Sequence, residues 1–172
     1  MARELFGGAM RCVIPPGLVD VSAFREVPDN QEVWVAQDSD ALAMVVEVAE
    51  YAAEVADEQA ASYYFSDLAE CNEAQSFVLQ AADARVSPAG LLQCPAVASV
   101  WACSGVQQGV SKFTERGQGN VAVWLAVARL PVCRADVLVS VTTRAQVQAE
   151  AQQMFALALQ SLEIVDTALF AP

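Results

Sequence analysis

Residues 120–142 read NVAVWLAVARLPVCRADVLVSVT, two valine-rich apolar runs separated only by Pro131, Val132, Cys133 and Arg134. Each run has the length and β-branched content of a strand. Pro131 lacks a backbone donor and belongs in a short connection rather than in the middle of a ladder. Parallel neighbours need a crossover of a dozen or more residues, which this link cannot supply, so the two runs predict an antiparallel pair.

Working outward, strand-like segments recur near residues 9–14, 31–37, 75–82 and 97–106, and QEVWV alternates polar and apolar positions. Three stretches have helical spacing. After Asp38, Ser39 and Asp40, which offer caps, Leu42, Val45, Val46, Ala49, Ala52 and Ala53 predict the buried face of a helix. Ala43, Glu47, Glu50 and Glu54 form a second stripe on it. A further helix is expected over residues 57–70, ending near Cys71 and Asn72. The last is expected over residues 146–164, with Val147, Ala151, Met154, Phe155, Ala158 and Leu162 on one face. Leu169 and Phe170 in the tail are costly to leave in water and should dock back on the body. Consecutive strands with helices at two places argue for an α+β domain, an antiparallel sheet with helices packed against it. No repeat, low-complexity tract or Gly/Ser/Pro linker divides residues 1–172, so one domain is expected.

Composition narrows the chemistry. Hydrophobic residues make up 55% and charged residues 17% of the 172, a globular profile far from that of disorder. No apolar run approaches the ~18 residues of a membrane-spanning helix. The opening MARELFGGAM has an early glutamate and no apolar signal core, which argues against secretion. Five cysteines, at 12, 71, 94, 103 and 133, are odd in number and show no C-x-x-C spacing; they read as buried, reduced thiols of an intracellular protein. The chain contains no histidine, which removes the commonest general base, Cys–His and Ser–His pairs, and mixed Cys/His zinc sites. There is no G-x-x-x-x-G-K-[ST] phosphate loop. A non-enzymatic role without cofactor is expected.

Charge is segregated along the chain. Residues 26–83 contain fourteen acidic side chains and no Lys or Arg, whereas the remainder carries nine basic against seven acidic residues, within a net charge of −12. One reading is a solvated face that keeps the protein soluble. The other is an acidic surface that attracts a basic protein. Nucleic acid and anionic membrane are excluded as partners by repulsion, with no basic stripe to compensate.

Immediately before QEVWV lies GLVDVSAFREVPDN, residues 17–30. Pro28, Asp29 and Asn30 are turn chemistry, with proline presetting φ and Asp or Asn bonding nearby backbone. On these residues alone the segment is a capped turn leading into a strand. It is also the longest piece of a resemblance. LFGGA (residues 5–9), PPGLVDVS, FREVPDNQEVWV, WACSGVQQ (residues 101–108), VARLP with ADVLVSV behind it, and the ending VDTALFA occur in the order found in the Mog family of Ran-binding proteins. That family is also called Ran guanine-nucleotide release factors, and the resemblance spans nearly the whole chain.

The resemblance implies an antiparallel sheet sandwiched by helices (α/β/α), similar to an extrinsic subunit of photosystem II. It implies a nuclear protein with a cytoplasmic pool, acting as a monomer on the small GTPase Ran in nuclear import. By motif position it assigns nucleotide release to Asp20, Asp29 and Glu32, with Asn30 between the last two. It assigns Ran binding to an acidic pair on the following helix, matched by Glu47 and Glu50, and Glu54 extends that stripe. Some family members carry an acidic residue where this chain has Ala23. The expectation is that Asp29 and Glu32 lose water against Ran and favour its emptied state, while the Glu47–Glu54 stripe steers and anchors a basic patch. The alternative is an adaptor or trafficking protein with this fold that binds another basic partner.

Overall fold

The computed structural model describes residues 1–37, 42–111, 119–144 and 148–171. The hairpin that opens the analysis is its centre. β8 (Gly119–Leu130) and β9 (Ala135–Arg144) pair antiparallel from Val121↔Arg144 to Leu130↔Ala135. The link is a single 3-10 turn, Pro131–Cys133, closed by the Arg134 amide donating to the Pro131 carbonyl at 3.1 Å. Arg134 takes the left-handed conformation (φ 52°) that lets so short a link reverse the chain.

Eight further strands lie among the described residues: β1 (Ala2–Leu5), β2 (Met10–Val13), β3 (Leu18–Asp20), β4 (Gln31–Ala36), β5 (Leu42–Glu50), β6 (Ser76–Val86), β7 (Ser99–Val110) and β10 (Glu163–Ile164). The main sheet has seven strands in the order β3-β4-β5-β9-β8-β7-β6, and every neighbouring pair is antiparallel. β1, β2 and β10 form a second, small sheet.

Helix α1 (Ala60–Cys71), entered through a 3-10 turn at Asp57–Gln59, covers one face of the main sheet. It buries Ala60, Ala61, Tyr64 and Phe65 against Cys103, Val121, Val123, Leu125 and Val127. On the other face, α2 (Ala89–Leu92), α3 (Gln148–Ser161) and the small sheet enclose Leu5, Met10, Trp34, Met44, Val46, Val139 and Phe155. The result is the expected helix–sheet–helix sandwich. Leu169 and Phe170 pack against this second core, as expected from the cost of exposing them.

Two expectations are corrected. Residues 42–50 are not a helix but strand β5, paired with β4 on one side and β9 on the other. Leu42, Met44 and Val46 are buried while Ala43, Val45 and Glu47 are half-buried, a period of two. LAMVVEVA is apolar at almost every position, so it matches helical and strand spacing alike, and pairing with two flanking strands decides between them. The proposed caps at Asp38, Ser39 and Asp40 lie outside the described residues. The last helix ends at Ser161 rather than near Ile164, because Glu163 and Ile164 are drawn into pairing with Arg11 and Met10 of β2. Its expected start, with Val147, lies outside the described residues. The helix expected over residues 57–70 forms as read. Three of the five cysteines are buried as expected, whereas Cys133 is half-buried and Cys71 is exposed.

The SGVQQ segment is structural. A Cβ on Gly105 would sit 2.3 Å from the Val78 carbonyl oxygen and 3.0 Å from the Phe65 ring, so glycine permits the close approach of β6 and α1. Gln107 is fully buried and its side-chain carbonyl accepts from Asn72 Nδ2 at 2.8 Å.

A buried ionic cluster ties α1 to the sheet. Arg129 and Asp136, both 0% exposed, approach to 3.2 Å, and Asp57 lies 3.4 Å from the same guanidinium nitrogen. Arg129 Nη2 donates to the Ala52 and Val55 carbonyls at 2.8 and 3.2 Å, and its guanidinium stacks 4.3 Å from the Tyr51 ring. Asp136 accepts from Tyr64 Oη at 2.6 Å and from the Ala52 amide at 3.1 Å. Tyr51, Ala52, Val55 and Asp57, all in the segment between β5 and α1, therefore contact one arginine. Removing one member of such a pair strands the other charge without water. Arg129→Met should cost about 3–5 kcal/mol in urea unfolding; a loss under about 1 kcal/mol would show that the cluster does not hold residues 51–57 in place.

Candidate functional site

The segment from β3 to β4 is held by its own polar side chains. Asp20 Oδ1 accepts from the Ser22 amide at 2.9 Å and from the Ser22 hydroxyl at 2.7 Å, capping the 3-10 turn Val21–Ala23. The amides of Phe24 and Arg25 both donate to the Val21 carbonyl at 3.1 Å. A second turn closes where the Gln31 amide donates to the Pro28 carbonyl at 2.9 Å. Asn30 does not bond its own turn. Its side-chain amide donates to the Val48 carbonyl at 3.1 Å while its carbonyl accepts from the Val48 amide at 2.9 Å, extending the β4–β5 ladder by one residue. Asp20 and Asn30 thus shape the loop.

Asp29 stands apart from them. It is exposed at the tip of the second turn. Fixed backbone on both sides presents its carboxylate to solvent. Phe24, in the same loop, is 63% exposed although large and apolar.

Glu32 behaves differently from the expectation. It lies in β4 on the face shared with buried Trp34, and it is half-buried. Its Oε1 accepts from the Phe6 amide at 2.7 Å, across 26 residues of chain. Phe6, a residue that spacing and composition did not single out, is thereby its partner; the only local signal is its place in LFGGA before two glycines.

The second acidic group is not a helical stripe. Glu47 lies in β5 opposite Gln31, whose side-chain amide donates to Glu47 Oε2 at 3.3 Å. Glu50 ends the same strand, and Glu54 follows in the loop toward α1; both are exposed. Strand alternation puts Glu47 on the α1 face, together with half-buried Val45 and its cross-strand partner Val33. Glu32, opposite Val46 on the adjacent rung, is on the other face. The structure therefore brings Asp29, Asn30, Glu32, Glu47 and Glu50 to one end of the β4–β5 ladder but divides Glu32 from Glu47 by the thickness of the sheet.

Two other acidic residues of the 26–83 segment are committed to the fold. Asp57 joins the Arg129 cluster, and Asp83 Oδ1 accepts from the Ser62 amide at 2.8 Å at the first turn of α1. Among the described residues no group of three or more metal-ligating side chains converges, and no helix is long and apolar enough to cross a membrane.

Residues 3–144 match the family model described as "Ran-interacting Mog1 protein". A zebrafish (Danio rerio) protein named Ran guanine nucleotide release factor is 33% identical over 99% of this chain and 100% of its own length. The fission yeast (Schizosaccharomyces pombe) nuclear import protein mog1 is 30% identical over 80% of this chain and 74% of its own. Among solved structures, the Saccharomyces cerevisiae Ran-binding protein Mog1p superposes with a TM-score of 0.75 at 23% identity, covering 99% of this chain and 98% of that one. A Synechocystis PsbP (CyanoP) superposes at 0.62 with 9% identity, covering 95% and 91%, a likeness of fold alone.

Burial raises the Glu47 carboxyl above its ordinary value of 4.5; the Gln31 hydrogen bond opposes the shift and nearby Asp67 adds to it. The folded protein therefore keeps this proton where the unfolded chain has lost it. Stability from this group is highest below the ordinary value and falls as pH rises through the folded one. Glu47→Gln should raise the midpoint of thermal unfolding at pH 7, and the gain should shrink as the pH is lowered through the folded value toward 4.5, the ordinary glutamate value. A variant no more stable than the parent at pH 7 would contradict this.

Proposed function

Because the chain belongs to the Ran-interacting Mog1 protein family, we propose that it binds the small GTPase Ran and promotes release of Ran's guanine nucleotide, in the service of nuclear import. It acts as a monomeric binding factor with no covalent chemistry of its own, in the nucleus with a cytoplasmic pool. The observation that supports this reading best is Asp29: an exposed carboxylate at the tip of a turn whose neighbours Asp20, Asn30 and Glu32 are spent on holding the local structure.

The physical argument starts from the GTPase. Its nucleotide is held by a glycine-rich loop, a lysine and Mg²⁺, so the vacated cradle is left positively biased. A preorganised carboxylate offers that state a partner which the nucleotide-bound state does not need. Release patch and anchor are then separate: Asp29 acts on release from a loop whose form is held by Asp20, Asn30 and Glu32, while Glu47, Glu50 and Glu54 steer and hold a basic surface.

Magnitudes limit how this can work. A nucleotide held at picomolar affinity is bound by about 16 kcal/mol. Exposed ion pairs contribute only about 0.2–1 kcal/mol, whereas close interfacial pairs couple by roughly 1.5–7 kcal/mol. The carboxylates matter only if docking takes them out of water. The half-buried valines around Glu47 already begin that dehydration on its side of the sheet.

Fluorescent-nucleotide release from Ran tests the reading directly. Added protein should accelerate release. Asp29→Ala should slow the accelerated rate by about tenfold or more, the value of one close interfacial pair, with less effect on binding. Glu47→Ala with Glu50→Ala should instead weaken binding and flatten its salt dependence. Equal loss of both activities from all of these sites would contradict the separation. Coupling between ligands is reciprocal, so excess GTP or GDP should compete the protein off Ran. Equal affinity for empty and nucleotide-saturated Ran would refute the mechanism.

A further inference from the structure

The β1–β2 hairpin turns through Phe6, Gly7 and Gly8, whose φ angles are 50°, 66° and 94°. Three successive residues in the left-handed half of backbone space are unusual, and Phe6 has a side chain that disfavours it. Such a conformation persists only where the surroundings over-determine it. Leu5 and Met10, fully buried and paired with each other, fix the two ends of the turn. The Phe6 ring packs against the core they belong to. The turn is closed by the Ala9 amide donating to the Phe6 carbonyl at 3.3 Å, and from outside it is held by the 2.7 Å bond from the Phe6 amide to Glu32. Gly7, in contrast, faces open space: a Cβ there would meet nothing within 4 Å.

Resting on the Ran-release reading above, we propose that Glu32 is a positioning residue. It serves release by holding the Phe6–Gly8 turn in its left-handed form, so that the turn, and not the Glu32 carboxylate, meets the GTPase beside Asp29. Three features carry this. Glu32 is half-buried on the sheet face that also carries Trp34. One carboxylate oxygen already receives a backbone donor at 2.7 Å, within the ordinary range of an N–H···O bond. The turn it holds reaches solvent at Gly7, while Phe6 and Gly8 are half-buried. What the site needs at residue 32 is thus an acceptor at the right reach, and the negative charge is incidental.

Glutamine keeps the acceptor oxygen and removes the charge; alanine removes both. Glu32→Gln should retain the accelerated release from Ran within about twofold, whereas Glu32→Ala should lower it about tenfold or more, the difference expected when a hydrogen-bonded strut is lost. Gly7→Val, which strains the turn while leaving Glu32 in place, should slow release as Glu32→Ala does, with an unchanged salt slope for binding. Hydrogen exchange at the Phe6 amide of the free protein should be protected in the parent and in Glu32→Gln and fast in Glu32→Ala. Release lost equally in Glu32→Gln and Glu32→Ala would overturn the proposal in favour of direct charge contact, and release retained in both would overturn it outright. Parent protein that leaves Ran's nucleotide in place would instead defeat the functional reading, while Phe6 exchange would still decide whether Glu32 holds the turn.

Discussion

The ladder between β5 and β9 is the constraint on which the rest of the molecule depends. Nine consecutive residue pairs, from Leu42↔Thr143 to Glu50↔Ala135, join two halves that are otherwise built from local hairpins. β3-β4-β5 on one side and β6-β7-β8-β9 on the other each form from neighbours in sequence. Only the β5–β9 pairing makes them one sheet, and it does so across about half of the chain. The closure of so large a loop is entropically slow and must be repaid by contacts that form afterwards. The Arg129–Asp136 cluster sits at the end of this ladder and clamps the segment that carries the chain from β5 to α1.

That ladder also determines the geometry of the candidate site. Once residues 42–50 are a strand, acidic residues that a helix would align on one stripe are distributed over two faces and an edge. Glu32 faces the core that holds Trp34; Glu47 faces α1; Asp29 and Glu50 stand at the exposed end. A partner that meets Asp29 and the Phe6–Gly8 turn approaches one side of the sheet, and one that meets Glu47 approaches the other. Two separable contacts are therefore natural to the fold, with the end of β4 and β5 between them.

The acidic segment is less uniform than its composition implies. Asp20, Asp57 and Asp83 each accept bonds that shape a turn, a buried cluster or the start of a helix. Glu32 and Glu47 are half-buried with named donors. Using these carboxylates internally makes their charge expensive to leave unpaired and rigidifies the surface around exposed ones such as Asp29 and Glu50. Rigid presentation is what the proposed release patch needs, because ordering side chains at the moment of docking would subtract from the coupling.

The amino-acid sequence by itself determined the antiparallel hairpin at Pro131, the helix after Asp57, the final amphipathic helix, the docking of Leu169 and Phe170, and family membership through LFGGA and FREVPDNQEVWV. These are local facts: a link too short to cross over, a period of apolar residues, a motif. It did not determine residues 42–50, because a nearly continuous apolar run has no period and takes its form from whatever pairs with it. Nor did it reveal that Glu32 bonds Phe6, that Asn30 reaches Val48, or that Arg129 gathers Asp57 and Asp136. Three of these contacts join residues 18 to 72 positions apart, and their partners meet only after the sheet has closed; Arg129 meets Asp136 across the β8–β9 hairpin. Residue type announced which side chains carry charge; the tertiary structure alone decided which of those charges are left to meet a partner.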